Sequence, residues 1–482
     1  MYNITVMEKT HDKSIIKNGA LLNALTNFFY SKYYPVYVAL FSVLFYTAKT
    51  PVISLVFYIL LACLALLFFR DLTPFMPLPV MLMMSFSDLS FFGNPFCLCL
   101  IGLCAICLIA HFILYPIKKF KFGKLFLPIC LVSVALFAGG LFSPYLSGYA
   151  RGLASSLTVG PMILLEYLLF TNYFCPPDNF DYKEHFIFII AVAGCLISAD
   201  MLVHEYLVSF NKKIMYQMGF GNTNIMGAAL LVTIPACWYF VCVKRKMLVP
   251  FIALIFNYLA VYLTNSDGAL GVAGACIPVL ATIGYIKADE YHKKTFIKWG
   301  LILCGVAVLG LLIISFKVDL YEFVLAFLNK VSTDNGRTPL YILAIEMFSK
   351  YPIFGIGLGY FDPSLNNTGN LNNVVALIFS FHSTFFHIIA TMGILGIITY
   401  AIYYVARYKI ILKKDGIFNV TTYLSFSMLQ VYGMIDTCEF HALPILIFLT
   451  LFFVITERSN NEKGNDQALP LTRKDIKFSK LI

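Results

Sequence analysis

Apolar residues run along this chain in long unbroken stretches rather than in amphipathic stripes. They cover 35–48, 51–69, 75–92, 96–115, 125–146, 152–174, 186–203, 225–243, 248–263, 269–286 and 296–316, then, after a polar interval, 383–404, 420–435 and 442–455. Most approach the ~20 apolar residues that a helix needs to cross a bilayer. In lipid only hydrogen bonding within the segment satisfies the backbone, and the two-residue alternation of a barrel strand is absent, so the stretches predict helices. The expected fold class is an all-α polytopic integral membrane protein of about 12–14 transmembrane helices, with the first and third stretches the weakest. The expected division is a cytoplasmic tail over 1–34 without a cleavable signal, helices 1–11 over 35–316, an outer loop over 317–381, helices 12–14 over 382–456, and a disordered tail over 457–482.

The interval 317–381 breaks the pattern. Two short helices are predicted there, 318–331 and 339–350, followed by the polar tract GIGLGYFDPSLNNTGNLNN. Thr338 suits an N-cap and Pro339 a first helical turn, which puts Arg337 just outside a helix start. A loop of this size inside a compact membrane protein is usually functional.

Composition agrees with the pattern and adds an orientation. The chain is 60% hydrophobic and 12% charged, against roughly 25% charged in soluble proteins, and its mean hydropathy of +0.81 excludes a water-soluble fold. A net charge of +10 would suggest nucleic acid for a soluble domain. Here it reflects the retention of Lys and Arg on the cytoplasmic side. With the N-terminus inside, 27 of the 35 basic residues fall in inner loops and tails, Arg407 among them, and eight fall outside, including Arg151, Lys212, Lys213 and Arg337. Both termini are therefore expected in the cytoplasm, with no nucleic-acid partner. The thirteen cysteines lie almost entirely in apolar runs, where Cys behaves as a small hydrophobe. They predict neither a metal site nor a disulfide framework, and no cofactor is expected.

Ionisable residues in membrane helices are costly and tend to mark function. On this topology Asp88, Asp200, His204, Glu205, Asp267, His382, His387, Asp436, Glu439 and His441 all fall at or near outer helix ends, with Glu166 near mid-span. The run Gly355, Gly357, Gly359 imitates a nucleotide-binding loop, but no strand precedes it. No HExxH and no nucleophile elbow are present. Two candidates stand out. Arg337 is one of only seven arginines and the only one in the outer loop, and arginine is the side chain best shaped for bidentate phosphate binding. His382 opens the next span, where a neutral imidazole accepts a proton near pH 7.

The ordered set GRTPLYILAIEMFSKYPIFGIGLGYF and HSTFFHIIATMGILGIITY resembles the O-antigen ligase and Wzy-type polysaccharide polymerase superfamily. Upstream, GFGNTNIMGAALL and LTNSDGALG resemble that family's Asn-containing helix start and Ser-Arg-Gly turn. The resemblance covers about residues 200–405. It implies a metal-independent, inverting membrane glycosyltransferase of GT-C-like architecture. Such an enzyme takes a glycan from undecaprenyl pyrophosphate at the outer face of the bacterial cytoplasmic membrane. It further implies a lipid-linked oligosaccharide donor, a glycan acceptor, and flippase and chain-length regulator proteins as partners. By the same resemblance, Arg337 contacts the donor pyrophosphate and His382 activates the acceptor hydroxyl. Asp267 replaces the family's arginine in the turn, which leaves Lys212 and Lys213 as substitute cations, with Arg151, Asn224 and Asp267 as further substrate-binding candidates. The leading expectation is a polymerase of repeat-unit glycans. A ligase moving finished glycan to another acceptor uses the same parts, and a transporter or flippase is the alternative of a different class.

Overall fold

The computed structural model describes residues 19–82, 95–143, 156–203, 223–287, 337–358 and 381–461, apart from scattered positions within these ranges, together with isolated residues between 291 and 305. Every described element is helical. In chain order these are α1 (Gly19–Phe29), α2 (Tyr33–Thr47), α3 (Pro51–Phe68), α4 (Pro77–Leu82), α5 (Pro95–Leu114), α6 (Phe126–Leu141), α7 (Ile163–Tyr173), α8 (Tyr182–Val203), α9 (Thr223–Val243), α10 (Leu248–Leu263), α11 (Asp267–Lys287), α12 (Arg337–Lys350), α13 (Thr384–Ile411), α14 (Ile417–Gly433) and α15 (Leu443–Asn461). A 3₁₀ turn, Thr73–Phe75, precedes α4, and a π turn, Thr158–Met162, precedes α7. Six helices are long and apolar enough to cross a membrane: α3, α5, α8, α9, α11 and α13. Proline opens several elements, with Pro51 in the first turn of α3 and Pro95 at the start of α5, where a missing N–H costs nothing. The short helix expected over 318–331 lies outside the described residues, as do Asp88, Arg151, His204, Glu205, Lys212, Lys213 and His441.

The chain divides into two compact units, 1–123 with 165–222 and 124–164 with 223–482. In the first, the polar groups gather at one set of helix ends. Tyr30 donates its hydroxyl to Asp71 Oδ2 and the Cys175 N–H donates to Oδ1, both at 2.8 Å. Leu72 N–H donates to the Tyr173 carbonyl, and the Tyr173 hydroxyl donates to the Tyr115 carbonyl. Burial pushes the Asp71 carboxyl above its usual range, against the pull of these hydrogen bonds. Residues 30, 71, 115 and 173–175 all belong to ends that the expected alternation of spans assigns to one side.

In the second unit α9 is the hub. Its span is 94% buried, whereas that of α5 in the first unit is 17% buried. Buried polar side chains tie α9 to its neighbours. Thr233 Oγ1 donates to Asn257 Oδ1 of α10 at 2.6 Å, Trp238 Nε1 to the Leu280 carbonyl of α11 at 3.0 Å, and Ser425 Oγ of α14 to the Val232 carbonyl at 3.0 Å.

Helix α13 carries the feature that organises the rest. It is interrupted at Gly393 (φ 60°, ψ −150°), a conformation that only glycine adopts readily. The chain following α12 packs its backbone against this break. Ile356 and Gly357 N–H groups donate to the Ala390 and Thr391 carbonyls at 2.9 Å, while Ile394 and Leu395 N–H groups donate to the Pro352 and Ile353 carbonyls at 2.8 and 3.3 Å. The backbone groups freed by the break are thus satisfied by protein. Gly355 (φ 69°) and Gly357 (φ 86°) shape this segment. From α6, Gly139 closes in so tightly that a Cβ there would lie 2.6 Å from the Thr391 carbonyl oxygen and 3.0 Å from that of Phe354. Phe142 stacks on Phe354 at 4.4 Å, and Ser143 Oγ donates to the Ile356 carbonyl at 2.5 Å.

Several placements differ from the sequence reading: α1 lies within the tail expected over 1–34, and α15 runs to Asn461, into the tail expected from 457. The span expected to end at Tyr404 continues to Ile411, so Arg407, assigned to an inner loop, sits inside α13 and is 1% exposed. Glu439, assigned to an outer helix end, is 3% exposed and paired with that arginine, Nη2 to Oε2 at 3.0 Å. The tyrosines that lower hydropathy at the end of this span line the interior beside Arg407. At its start, α12 includes Arg337 as its first described residue rather than beginning after it.

Gly393→Ala is expected to lower stability by about 3 kcal/mol or more, because strain of about 1–3 kcal/mol adds to a Cβ 2.5 Å from the Pro352 carbonyl oxygen. Gly271 in α11 has nothing within 4 Å of a built Cβ, so Gly271→Ala is expected to be neutral or stabilising by up to about 1 kcal/mol. Thermal unfolding of the detergent-solubilised chain measures both.

Candidate functional site

At one end of the second unit, α9, α11, α12, α13 and α14 bring their termini together. His382 immediately precedes Ser383, the extended N-cap residue of α13. Its backbone is held at φ 47°, a left-handed conformation uncommon outside glycine and sustained only where the surroundings over-determine it. Those surroundings are visible. Tyr341 of α12 donates its hydroxyl to the His382 carbonyl at 3.1 Å and stacks on Phe386 at 4.4 Å. Beneath it Ala344, Met347, Ile356, Phe381 and Ala390 form one buried cluster. The docked segment after α12 and the first turns of α13 therefore fix the histidine's backbone from two sides.

The imidazole faces Asp436, in the turn after α14, with Nδ1 3.4 Å from Oδ1. Nδ1 is buried, while the His382 side chain as a whole is 38% exposed, so the accessible edge of the ring is the one that carries Nε2. Asp436 is held in turn. Its Oδ1 accepts the Thr437 N–H at 2.7 Å, its Oδ2 accepts from the Tyr432 hydroxyl at 3.5 Å, and its backbone carbonyl accepts from Thr384 Oγ1 at 3.3 Å. Burial pushes the Asp436 carboxyl upward, but the His382 partner, the Thr437 N–H and the charge of Arg337 outweigh it and hold the group below the usual carboxylate range. Asp436 is thus a carboxylate at neutral pH. Arg337, half-buried at the start of α12, adds its positive charge to the same locality.

The Tyr432 hydroxyl is a junction. It lies 3.0 Å from Ser266 Oγ and 3.3 Å from the Asn224 carbonyl, besides Asp436. A phenol carries one proton, so it donates to one of the two acceptors at a time while accepting from Ser266. Asn265 (φ 54°) turns the chain into α11. Gly268 packs so closely on Ile435 and Tyr432 that a Cβ there would collide with both side chains.

Of the residues singled out from the sequence, Arg337, His382, Asn224 and Asp267 lie in this locality. Asn224 contributes its carbonyl to the Tyr432 junction, and Asp267 opens α11 between Ser266 and Gly268. Arg151, Lys212 and Lys213 lie outside the described residues. Asp436 was visible as a helix-end carboxylate but not as the partner of His382, 54 residues earlier. Tyr432 and Tyr341 were not singled out, since a tyrosine near a membrane interface is ordinary, whereas Ser266 was marked only as the serine of the LTNSDGALG turn. Among the described residues no group of three or more His, Cys, Asp or Glu gathers in a metal-like cluster.

Residues 251–401 match the family described as O-antigen ligase. That segment holds Asp267, Arg337 and His382, but neither Asn224 nor Asp436. Neither a curated protein nor a solved structure matches the chain. The matched segment contains the motifs around Asp267, Arg337 and His382, while GFGNTNIMGAALL at 219–231 lies upstream of it. Residues 251–401 are therefore similar to the O-antigen ligase family, in a chain whose long apolar helices make it a multi-pass membrane protein.

Proposed function

We propose that the protein is a membrane glycosyltransferase that extends a repeat-unit glycan carried on a polyprenyl pyrophosphate. The observation that carries the reading is the pairing of His382 Nδ1 with the Asp436 carboxylate, which leaves Nε2 as the accessible nitrogen, close to the charge of Arg337. A carboxylate behind an imidazole fixes its tautomer and stabilises the imidazolium that forms when the ring takes a proton. In the proposed step Nε2 takes the proton of an acceptor hydroxyl. The oxygen bonds to the anomeric carbon, and the carbon–oxygen bond to the pyrophosphate breaks, its electron pair leaving with the phosphate. Arg337 offsets that developing charge. Attack opposite the leaving group inverts the anomeric carbon.

The site is assigned to the outer face of the cytoplasmic membrane. The excess of Lys and Arg in the loops of the opposite side supports this. So do Lys413 and Lys414, which follow α13 and donate to the carbonyls of Asn460 and Ser459 at the close of α15. Transfer of a finished glycan to a different acceptor is the second reading, favoured by the description of the matched family.

The surface glycan of a deletion strain separates these readings. Loss of the length ladder with a single repeat retained indicates polymerisation, and accumulation of long lipid-linked chains indicates ligation. Unchanged glycan with altered solute uptake would overturn both. His382→Ala is expected to insert normally and to lose about 10²–10⁴-fold in rate, and Arg337→Lys to lose about tenfold or more, because an ammonium lacks the bidentate fork.

The pH dependence has a defined sign. With its titration held below the ordinary ~3.9, Asp436 stays charged throughout the range in which an imidazole titrates. Its contribution to stability is complete above that ordinary value and is lost only as pH falls through the depressed one. In Asp436→Asn the imidazolium loses its counter-charge. The acid limb of the rate–pH profile is therefore expected to move to lower pH while the plateau rate falls; an unmoved limb would remove Asp436 from the mechanism.

A further inference from the structure

A second carboxylate lies three residues beyond Asp436, in the same connection between α14 and α15. Glu439 accepts Arg407 Nη1 at 3.2 Å and Nη2 at 3.0 Å, and Gln430 Nε2 of α14 donates to its Oε1 at 2.5 Å. The guanidinium is walled by the rings of Tyr403, Tyr404, Phe426 and Phe453, whose centroids lie 4.0–5.7 Å from its central carbon. Charges buried at this depth in a membrane protein are costly and tend to be kept for function, and replacing such a pair by apolar residues of similar volume is often stabilising. Packing alone does not call for it.

Its position suggests what it does. Helix α13 grips the α14–α15 connection at two points. Thr384 and His382 hold Asp436, and Arg407, across the Gly393 interruption, holds Glu439. A forked two-point contact fixes both the distance and the angle of the carboxylate it holds. With the connection anchored at residue 439, Asp436 is presented to His382 at a set height. Both Arg407 and Glu439 lie beyond residue 401, outside the segment that matches the family.

We infer that the Arg407–Glu439 pair is a positioning device for catalysis: it holds the α14–α15 connection so that Asp436 meets His382 Nδ1. The inference rests on the reading of His382 as the base. The pair touches neither substrate nor the reacting atoms and acts only through Asp436. The charged and titratable groups around His382 include Asp436 from the connection, Tyr432 of α14 on the same carboxylate, and Arg337 and Tyr341 from α12. Those around Glu439 are Arg407, Tyr400 and Tyr404 from α13.

The test uses the full chain in lipid nanodiscs with a lipid-linked oligosaccharide donor, and compares wild type, Asp436→Asn, the double variant Arg407→Met with Glu439→Met, and the triple combination. The double variant removes both charges at once, so no lone buried ion remains. It is expected to keep its thermal unfolding transition and its KM, to lose about tenfold or more in kcat, and to shift the acid limb of the rate–pH profile to lower pH, as Asp436→Asn does. Added to Asp436→Asn it is expected to change kcat by less than about twofold, since the two lesions share one route. A kcat near that of wild type, or a loss that multiplies fully in the Asp436→Asn background with the acid limb unmoved, overturns the inference and leaves a purely structural pair. Should the double variant not fold, Arg407→Lys carries the test, with a partial loss of kcat and a partial shift of the limb expected, and no shift overturning it. If Asp436→Asn itself leaves the limb in place, the His382 reading fails and this inference falls with it. A shift in Asp436→Asn alone defeats only the inference.

Discussion

The second unit depends on how the interruption of α13 at Gly393 is closed. A helix broken at membrane depth leaves donors and acceptors that lipid does not satisfy, and here the backbone of residues 352–357 meets them from both sides of the break. That closure has a geometric result. Helix α12, which carries Arg337 at its start, becomes fixed against the first turns of α13, which carry His382 in front of them. The cation and the imidazole belong to segments separated by more than forty residues, yet their relative position follows from four backbone hydrogen bonds and the close approach of Gly139.

Much of the fold was legible because bilayer physics writes it in long apolar runs. The ends of α3, α5, α9 and α10 fall within two residues of the expected bounds, and prolines at helix starts mark several of them. The error at α13 has a physical cause. Tyr403 and Tyr404 weaken the hydropathy signal near the point where the helix continues, because their rings lie on a buried guanidinium rather than in lipid. An arginine followed by lysines reads as a cytoplasmic loop until its partner is known. That partner, Glu439, lies 32 residues away, and no local rule pairs the two.

The site shows the same division. Arg337 and His382 were conspicuous, being scarce residue types in a recognisable order, and the family match covers both. Asp436 and Tyr432 lie past the matched segment and came together with His382 only through the packing of α14 against α9 and α13. Asn224 was picked as a substrate-binding candidate, whereas at the Tyr432 junction it contributes its backbone carbonyl. Sequence motifs thus located Arg337 and His382, and the structure supplied the groups that hold them.

Helix α9 is among the apolar segments long enough to span a bilayer, yet 94% of its span is covered by protein. Its composition answers to two environments at different times. During synthesis it must partition into lipid as a free segment, before α10, α11 and α14 exist to surround it. Afterwards it must pack, with Gly227, Ala228, Ala229, Ala236 and Cys237 leaving room for close neighbours. Apolarity therefore governs its entry into the membrane and side-chain size its final place, so a change from alanine to leucine on this helix would pass the first selection and fail the second.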